Sequence, residues 1–139
     1  MKAKITWDGE ARFIAESESE HRVIMDGPPE HGGKNVGPRP MEMMLMGMGG
    51  CAAFDVVHIL KKGRQSIASC TTEVDATRSN DVPAVFTKIH LNFLVSGDNL
   101  KENIVRNAVK MSAEKYCSAS IMLTRGGVEV THTFEITSQ

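Results

Sequence analysis

The sequence has almost no net charge, because 16 lysines and arginines stand against 17 aspartates and glutamates among its 139 residues. A balance of this kind gives no support to a nucleic acid or a membrane surface as partner. No secretion signal is visible either, since residues 1–8 turn polar before an apolar run builds up. We therefore expect a cytoplasmic protein that binds neither nucleic acid nor membrane.

Cysteine is scarce and its number is odd, with Cys51, Cys70 and Cys117 in the whole chain. Three cysteines without a secretion signal are not typical of a disulfide framework, so we expect reduced thiols at rest. Close pairs of cysteine or histidine are also missing. Cys51 and His58 would share one side of a helix, but about 10 Å apart along its axis, which is too far for one ion. The sequence predicts no metal site.

One long apolar stretch dominates the chain. Pro38 and Pro40 precede about twenty residues without another proline, and the run ends at Lys61-Lys62-Gly63. Proline at the start, cations in the last turn and glycine just past the end predict one helix over residues 38–60. Most of its residues are apolar or small, so we expect it to be buried on nearly all sides. Its length and its glycines argue against a membrane span.

Alternation of apolar and polar residues predicts six strands. They cover residues 3–7, 11–15, 21–25, 67–78, 85–95 and 128–136. Residues 27–40 form a loop rich in proline and glycine.

A second helix is expected between the last two strands. Asp98 or Asn99 would cap it, and Asn99 with Glu102 has the spacing of a capping box. It would end near Tyr116, and a short helix over residues 118–125 would follow. The order is three strands, a long helix, two strands, a helix and one strand, which predicts a single α+β domain over residues 1–139.

A helix that is apolar all round cannot be hidden by one sheet. Its remaining face must meet another surface, most simply the same helix of a second copy. We therefore expect a homodimer in which the small residues of this helix let the two backbones approach closely.

The cysteines allow structural and chemical interpretations. Cys51 is either a small buried hydrophobe or a nucleophile, and a nucleophile needs a cation or a hydrogen-bond donor that lowers the pKa of its thiol. Cys117 follows a helix at a turn, where an inert core residue is less expected. A nucleophilic cysteine with a second one in reach is the usual arrangement for oxidation to sulfenic acid and then to a disulfide. Cys70, on the apolar side of a strand, is expected in the core.

Asp55 comes four residues after Cys51 and shares its helical face. A buried carboxylate needs a partner, such as an arginine or a backbone donor across the dimer interface. Without a cation between them, its charge would raise the pKa of a neighbouring thiol.

Two motifs identify a family. Pro40 is followed eleven positions later by Cys51 within Met-Gly-Met-Gly-Gly-Cys-Ala-Ala-Phe-Asp-Val, and Glu-Lys-Tyr-Cys-Ser-Ala-Ser surrounds Cys117. Together with the order of strands and helices, they resemble the OsmC/Ohr superfamily of thiol-dependent peroxidases over nearly the whole chain. Met-Asp-Gly, Pro-Met-Glu-Met and Lys-Gly-Arg-Gln resemble its YhfA-like branch.

The resemblance implies an intertwined homodimer with two active sites at the interface. Cys51 would be the peroxidatic cysteine and Cys117 the resolving one. The substrates would be organic hydroperoxides, reduced with a lipoyl-type or small dithiol in defence against oxidative stress. No metal, haem or flavin cofactor would be needed.

The sequence departs from the family pattern around the activating arginine. In the family, a glutamate directly after the loop proline holds this arginine, but here Met41 has that position and Glu42 comes one residue later. Ile24 stands where a strand arginine is usual, with Arg22 two residues earlier on the same strand face. Arg22 or Arg39 would therefore stabilise the thiolate, and Glu42 would orient the arginine.

Two other functions fit the same fold. A dimer without enzymatic activity could bind a small apolar ligand or act as a redox sensor through its thiols. A purely structural dimer is the third interpretation.

Overall fold

The computed structural model describes residues 1–138 of the chain. They form two compact units, the first over Met1–Met44 and the second beginning at Leu45. Strands and helices follow one another in the predicted order, so the α+β class is confirmed.

The first unit contains a small antiparallel sheet. Its strands are β1 (Ala3–Trp7), β2 (Phe13–Ser17) and β3 (Arg22–Met25), in that spatial order. Gly9, with φ at 92°, lies in the first turn, where a left-handed backbone favours glycine. The three predicted strands are confirmed.

A buried carboxylate organises the loop after β3. Asp26 accepts hydrogen bonds from the backbone N–H groups of Gly27, Lys34 and Val36 at 2.8–3.3 Å. The bond from Lys34 is the main reason that the pKa of Asp26 lies below its ordinary value. Within this loop, Pro29–His31 form one turn of 3-10 helix.

Helix α1 (Pro40–Lys62) is the predicted long helix. The Glu42 carboxylate accepts a hydrogen bond from the Arg39 backbone N–H at 3.0 Å, as the third helical residue does in a capping box. By length and composition alone α1 could cross a membrane, a criterion that core helices also meet.

The prediction that α1 is buried on nearly all sides is wrong for the single chain. Its buried residues form one stripe, whereas Met46 is 61% exposed and Phe54 is 70% exposed. The stripe consists of Met48, Gly49, Ala52, Val56 and Leu60. The sequence could not reveal this, because an apolar residue looks the same whether or not a partner covers it.

The second unit contains the larger sheet. β4 (Ser66–Arg78) pairs antiparallel with β5 (Phe86–Asp98), and β6 (Glu129–Ile136) pairs parallel with β5. The central strand β5 supplies much of the core through Ile89, Leu91, Phe93 and Val95.

Cys70 lies on β4 and is half-buried. Its assignment to the core is therefore wrong. The register of β4 against β5 shifts between Ile67 and Ser69, and Ala68 on the supposed apolar side is exposed.

Helix α2 (Glu102–Met111) begins without the predicted cap. Lys101 occupies the N-cap position and no side chain caps the helix, so the capping box of Asn99 and Glu102 is wrong. The Asn99 backbone is left-handed, with φ at 49°, and its side-chain amide donates to Asp98. Asn99 therefore belongs to the turn after β5.

The segment after α2 leads to the second cysteine. Ser112–Tyr116 form a π-helical turn, and helix α3 (Ser118–Arg125) follows with Cys117 between them. The predicted short helix is confirmed at its predicted bounds.

Candidate functional site

The two cysteines of the family motifs meet within the second unit. Cys51 lies in the middle of α1 and Cys117 directly precedes α3. Their sulfur atoms and a carboxylate oxygen of Asp55 all lie within 4.8 Å of one another. Cys51 is half-buried, whereas Cys117 is fully buried. Cys51 is thus the more exposed residue of the pair.

A buried hydrogen bond fixes the helices that carry these cysteines. The Ser112 hydroxyl donates to the Ala52 carbonyl oxygen at 2.9 Å, one residue after Cys51. The Ser112 carbonyl in turn accepts from the Cys117 backbone N–H at 2.8 Å. Ser112 therefore ties α1 to the turn that positions Cys117. This contact joins residues 60 positions apart, so no local sequence pattern predicts it.

Cys117 caps α3 with its sulfur atom, which accepts a hydrogen bond from the Ser120 backbone N–H at 3.4 Å. Burial raises the pKa of the Cys117 thiol, hydrogen bonding from Ser120 opposes this, and the neighbouring Cys51 thiol raises the pKa further. The net shift is upward, so Cys117 is a neutral thiol at pH 7.

Asp55 is the third member of the cluster, and it is half-buried. Burial raises the pKa of its carboxyl group, and the charge of His58 partly opposes this. Among residues 1–138 no ion pair involves Asp55. The partner expected across the dimer interface would belong to a second copy and stays a prediction. The sequence spacing predicted that Asp55 shares a helical face with Cys51, but it did not predict that Asp55 lies close to Cys117.

The three predicted activating residues lie in the first unit. The Arg22 guanidinium forms an ion pair with Glu16 at 2.7 Å. The Arg39 guanidinium donates to the Asn35 side-chain oxygen at 3.1 Å. Glu42 contacts the backbone of Arg39 rather than its guanidinium. Within this unit, each of the three side chains has a local partner.

An open cavity of about 580 Å³ lies near the second cysteine motif. Its lining combines apolar with charged and polar side chains. The lining residues are Ala113, Glu114, Lys115, Ile121, Thr124, Arg125, Val130 and His132.

Comparisons with known proteins agree with the sequence motifs. A family model described as OsmC-like protein matches residues 31–133. The protein YhfA of Escherichia coli (strain K12) is 45% identical over 136 residues, which cover 98% of each chain.

Solved structures share the fold. A hypothetical protein from Aquifex aeolicus VF5 is 25% identical, with a TM-score of 0.86 over 99% of this chain and 96% of that one. The organic hydroperoxide resistance protein OhrB of Bacillus subtilis is 21% identical, with a TM-score of 0.64 over 97% of this chain and 98% of that one. At 21% identity the likeness concerns the fold alone.

Proposed function

The chain belongs to the OsmC-like protein family, and we propose that it is a thiol-dependent peroxidase that reduces organic hydroperoxides. The observation that carries the proposal is the approach of Cys51 and Cys117 to within 4.8 Å. Cys51 is a half-buried residue and Cys117 is buried beside it. A peroxide can therefore reach the Cys51 thiol, and the Cys117 thiol can then form a disulfide with the oxidised Cys51.

The reaction takes two steps. The Cys51 thiolate attacks the terminal oxygen of the hydroperoxide and the O–O bond breaks. The hydroxyl group stays on sulfur, and the alkoxide takes a proton from solvent and leaves as the alcohol. Cys51 is then a sulfenic acid. The Cys117 sulfur attacks the Cys51 sulfur, and the hydroxyl group leaves as water, so that a disulfide forms. A lipoyl-type or small dithiol returns both thiols by exchange.

A guanidinium is proposed to stabilise the Cys51 thiolate. Arg39 is the better candidate, because the Asn35 oxygen that it contacts is neutral whereas Arg22 is already paired with Glu16. Glu42 would orient Arg39 by holding its backbone at the start of α1.

The active form is proposed to be a cytoplasmic homodimer of one-domain chains, spanning residues 1–139. Apolar side chains on two elements are open in the single chain, notably Trp7 of β1, 66% exposed, and Phe54 of α1, 70% exposed. Exposed apolar surface of this kind is typical of an interface.

Turnover of cumene hydroperoxide with dithiothreitol or dihydrolipoamide tests the proposal. Cys51→Ser should reduce the rate by at least about 10³-fold, as loss of a nucleophile does. Arg39→Met should cost about 10²-fold, the usual effect of losing one stabilising group. Cys70→Ser is the matched control and should keep the wild-type rate. Equal rates for Cys51→Ser and the wild type would contradict the proposal.

A redox sensor is the second candidate, and Asp55 is the observation that favours it. A carboxylate within 4.8 Å of both thiols opposes their ionisation and so slows peroxide attack. A sensor would form the disulfide once with hydroperoxide but would show no sustained turnover with dithiols.

A further inference from the structure

The cluster of Cys51, Asp55 and Cys117 brings together three groups that can each carry a negative charge. Their donor atoms, two sulfurs and one carboxylate oxygen, lie within 4.8 Å of one another. They come from two parts of the chain, because Cys51 and Asp55 lie one turn apart on α1 and Cys117 directly precedes α3. Three potential metal ligands from separate segments of the chain therefore meet at one place.

A cation would relieve the repulsion between the negative charges that this cluster can carry. If the thiols ionise beside the Asp55 carboxylate, like charges repel at short range. No ion pair of the described residues 1–138 neutralises Asp55. His58 attracts Asp55 when it is protonated, but it contributes no donor atom to the cluster. A divalent cation held by all three groups would remove this repulsion.

The donor set selects a thiophilic ion. Thiolates favour Zn²⁺ over Mg²⁺, Ca²⁺ or Mn²⁺, and carboxylate oxygen is also a zinc ligand. Sulfurs bound to one tetrahedral zinc lie about 3.8 Å apart, given Zn–S bonds of about 2.3 Å. That separation lies within the 4.8 Å limit of the cluster. Three protein ligands would leave the fourth position to water.

Ser120 provides outer contacts of the kind that metal sites use. Its backbone N–H already donates to the Cys117 sulfur at 3.4 Å. Its hydroxyl is fully buried and makes no regular hydrogen bond to the described residues. It nevertheless lies close enough to the sulfur to lower the pKa of Cys117. A donor beside a metal-bound thiolate orients and stabilises it.

We propose that Cys51, Asp55 and Cys117 of the reduced protein bind one zinc-type divalent cation per chain. The site uses the thiols of the proposed peroxidase but does not depend on peroxidase activity. Binding and disulfide formation exclude each other, because a disulfide uses up both sulfur donors. The ion takes the place of thiol protons, so binding should release protons and should weaken as the pH falls.

Anaerobic titration of the reduced full-length protein with Co²⁺, followed by competition with Zn²⁺, tests the site. We expect one Co²⁺ per chain and a thiolate-to-cobalt charge-transfer band in the near ultraviolet, which Zn²⁺ abolishes. Cys51→Ser and Cys117→Ser should each lose the strong band. Asp55→Asn should retain the band but bind at least about 10-fold more weakly. Cys70→Ser is the control and should match the wild type.

Oxidation with diamide separates this site from the peroxidase reaction, because diamide takes two hydrogens from a pair of thiols without any hydroperoxide. The oxidised protein should bind no Co²⁺. Absence of the band in the reduced wild type, or unchanged affinity in Asp55→Asn with a native circular dichroism spectrum, would overturn the site. Metal binding without hydroperoxide turnover would uphold the site and refute only the peroxidase.

Discussion

Cys117 is the N-cap residue of helix α3, and its sulfur atom accepts the hydrogen bond that a hydroxyl or carboxylate oxygen commonly accepts at this position. The backbone N–H of Ser120 helps its thiolate, but burial and the adjacent Cys51 thiol work against ionisation. The upward shift of the pKa has the larger weight, because the side chain is fully buried. Cys117 is therefore a neutral thiol at rest, which suits a residue that reacts only after Cys51 has been oxidised.

The closing of the disulfide should depend on pH. Because the pKa of Cys117 is raised above its ordinary value of about 8.5, only a small fraction is thiolate at neutral pH. That fraction grows about tenfold for each pH unit below the pKa. We predict that the rate of disulfide formation increases about tenfold for each pH unit between about pH 6 and pH 8. Quenched flow with mass spectrometry measures this rate. A pH-independent rate would show that Cys117 is already ionised.

Of the two neighbours of Asp55 in the cluster, only one could be predicted from the sequence. Its place on the face of Cys51 follows from the four-residue spacing on a helix. Its approach to Cys117 depends on the packing of α1 against the segment after α2, which a buried bond from Ser112 to Ala52 fixes. Contacts between distant parts of a chain leave no periodic signal in the sequence.

At the scale of helices and strands, one glycine of α1 lies in close contact with the larger sheet. A β-carbon on Gly49 would lie 2.9 Å from a methyl group of Val74 on β4. Val74 is β-branched and cannot move aside by a simple rotation. The glycine therefore lets helix and sheet meet at this point.

Gly49→Ala should destabilise the protein by about 1 kcal/mol. The overlap with Val74 costs about 1–3 kcal/mol, which exceeds the gain of about 1 kcal/mol from alanine in a helix. In a Val74→Ala background the same change should instead stabilise, because the obstructing methyl groups are gone. Urea denaturation of all four proteins in the double-mutant cycle measures the coupling. Equal effects in both backgrounds would contradict the packing described.

Element boundaries were predictable where local chemistry decides them. The proline and lysine positions set α1 to within two residues, and Gly126 ends α3 as expected. The start of α2 was not predictable in this way. Asn99 has the right spacing for a cap, but its left-handed backbone serves the turn after β5, and Lys101 takes the N-cap position. Two local preferences competed there, and the sequence does not show which one the tertiary structure selects.

At the scale of the whole molecule, the single chain leaves apolar surface open that the sequence predicted to be covered. The exposed side chains of Met46 and Phe54 belong to the faces of α1 outside its buried stripe. A second copy is the simplest cover, because a symmetric partner offers the same apolar surface.

The reduced protein should therefore have a mass in solution of twice the 15.2 kDa of one chain. Phe54→Arg should shift it toward the monomer, because a charge at an apolar interface is costly to bury. Val82→Ser, at a fully exposed loop position, is the control and should leave the mass unchanged. Sedimentation velocity at several concentrations measures the mass. A wild-type monomer at all concentrations would contradict the proposed homodimer.

The central claim is that Cys51 and Cys117 of one chain act as a reactive pair. Peptide mapping by mass spectrometry, after treatment with one equivalent of cumene hydroperoxide, tests it most directly. The account predicts a disulfide between Cys51 and Cys117 within a single chain, with Cys70 still free. A disulfide that includes Cys70, or a Cys51 oxidised to sulfinic acid beside a free Cys117, would contradict it.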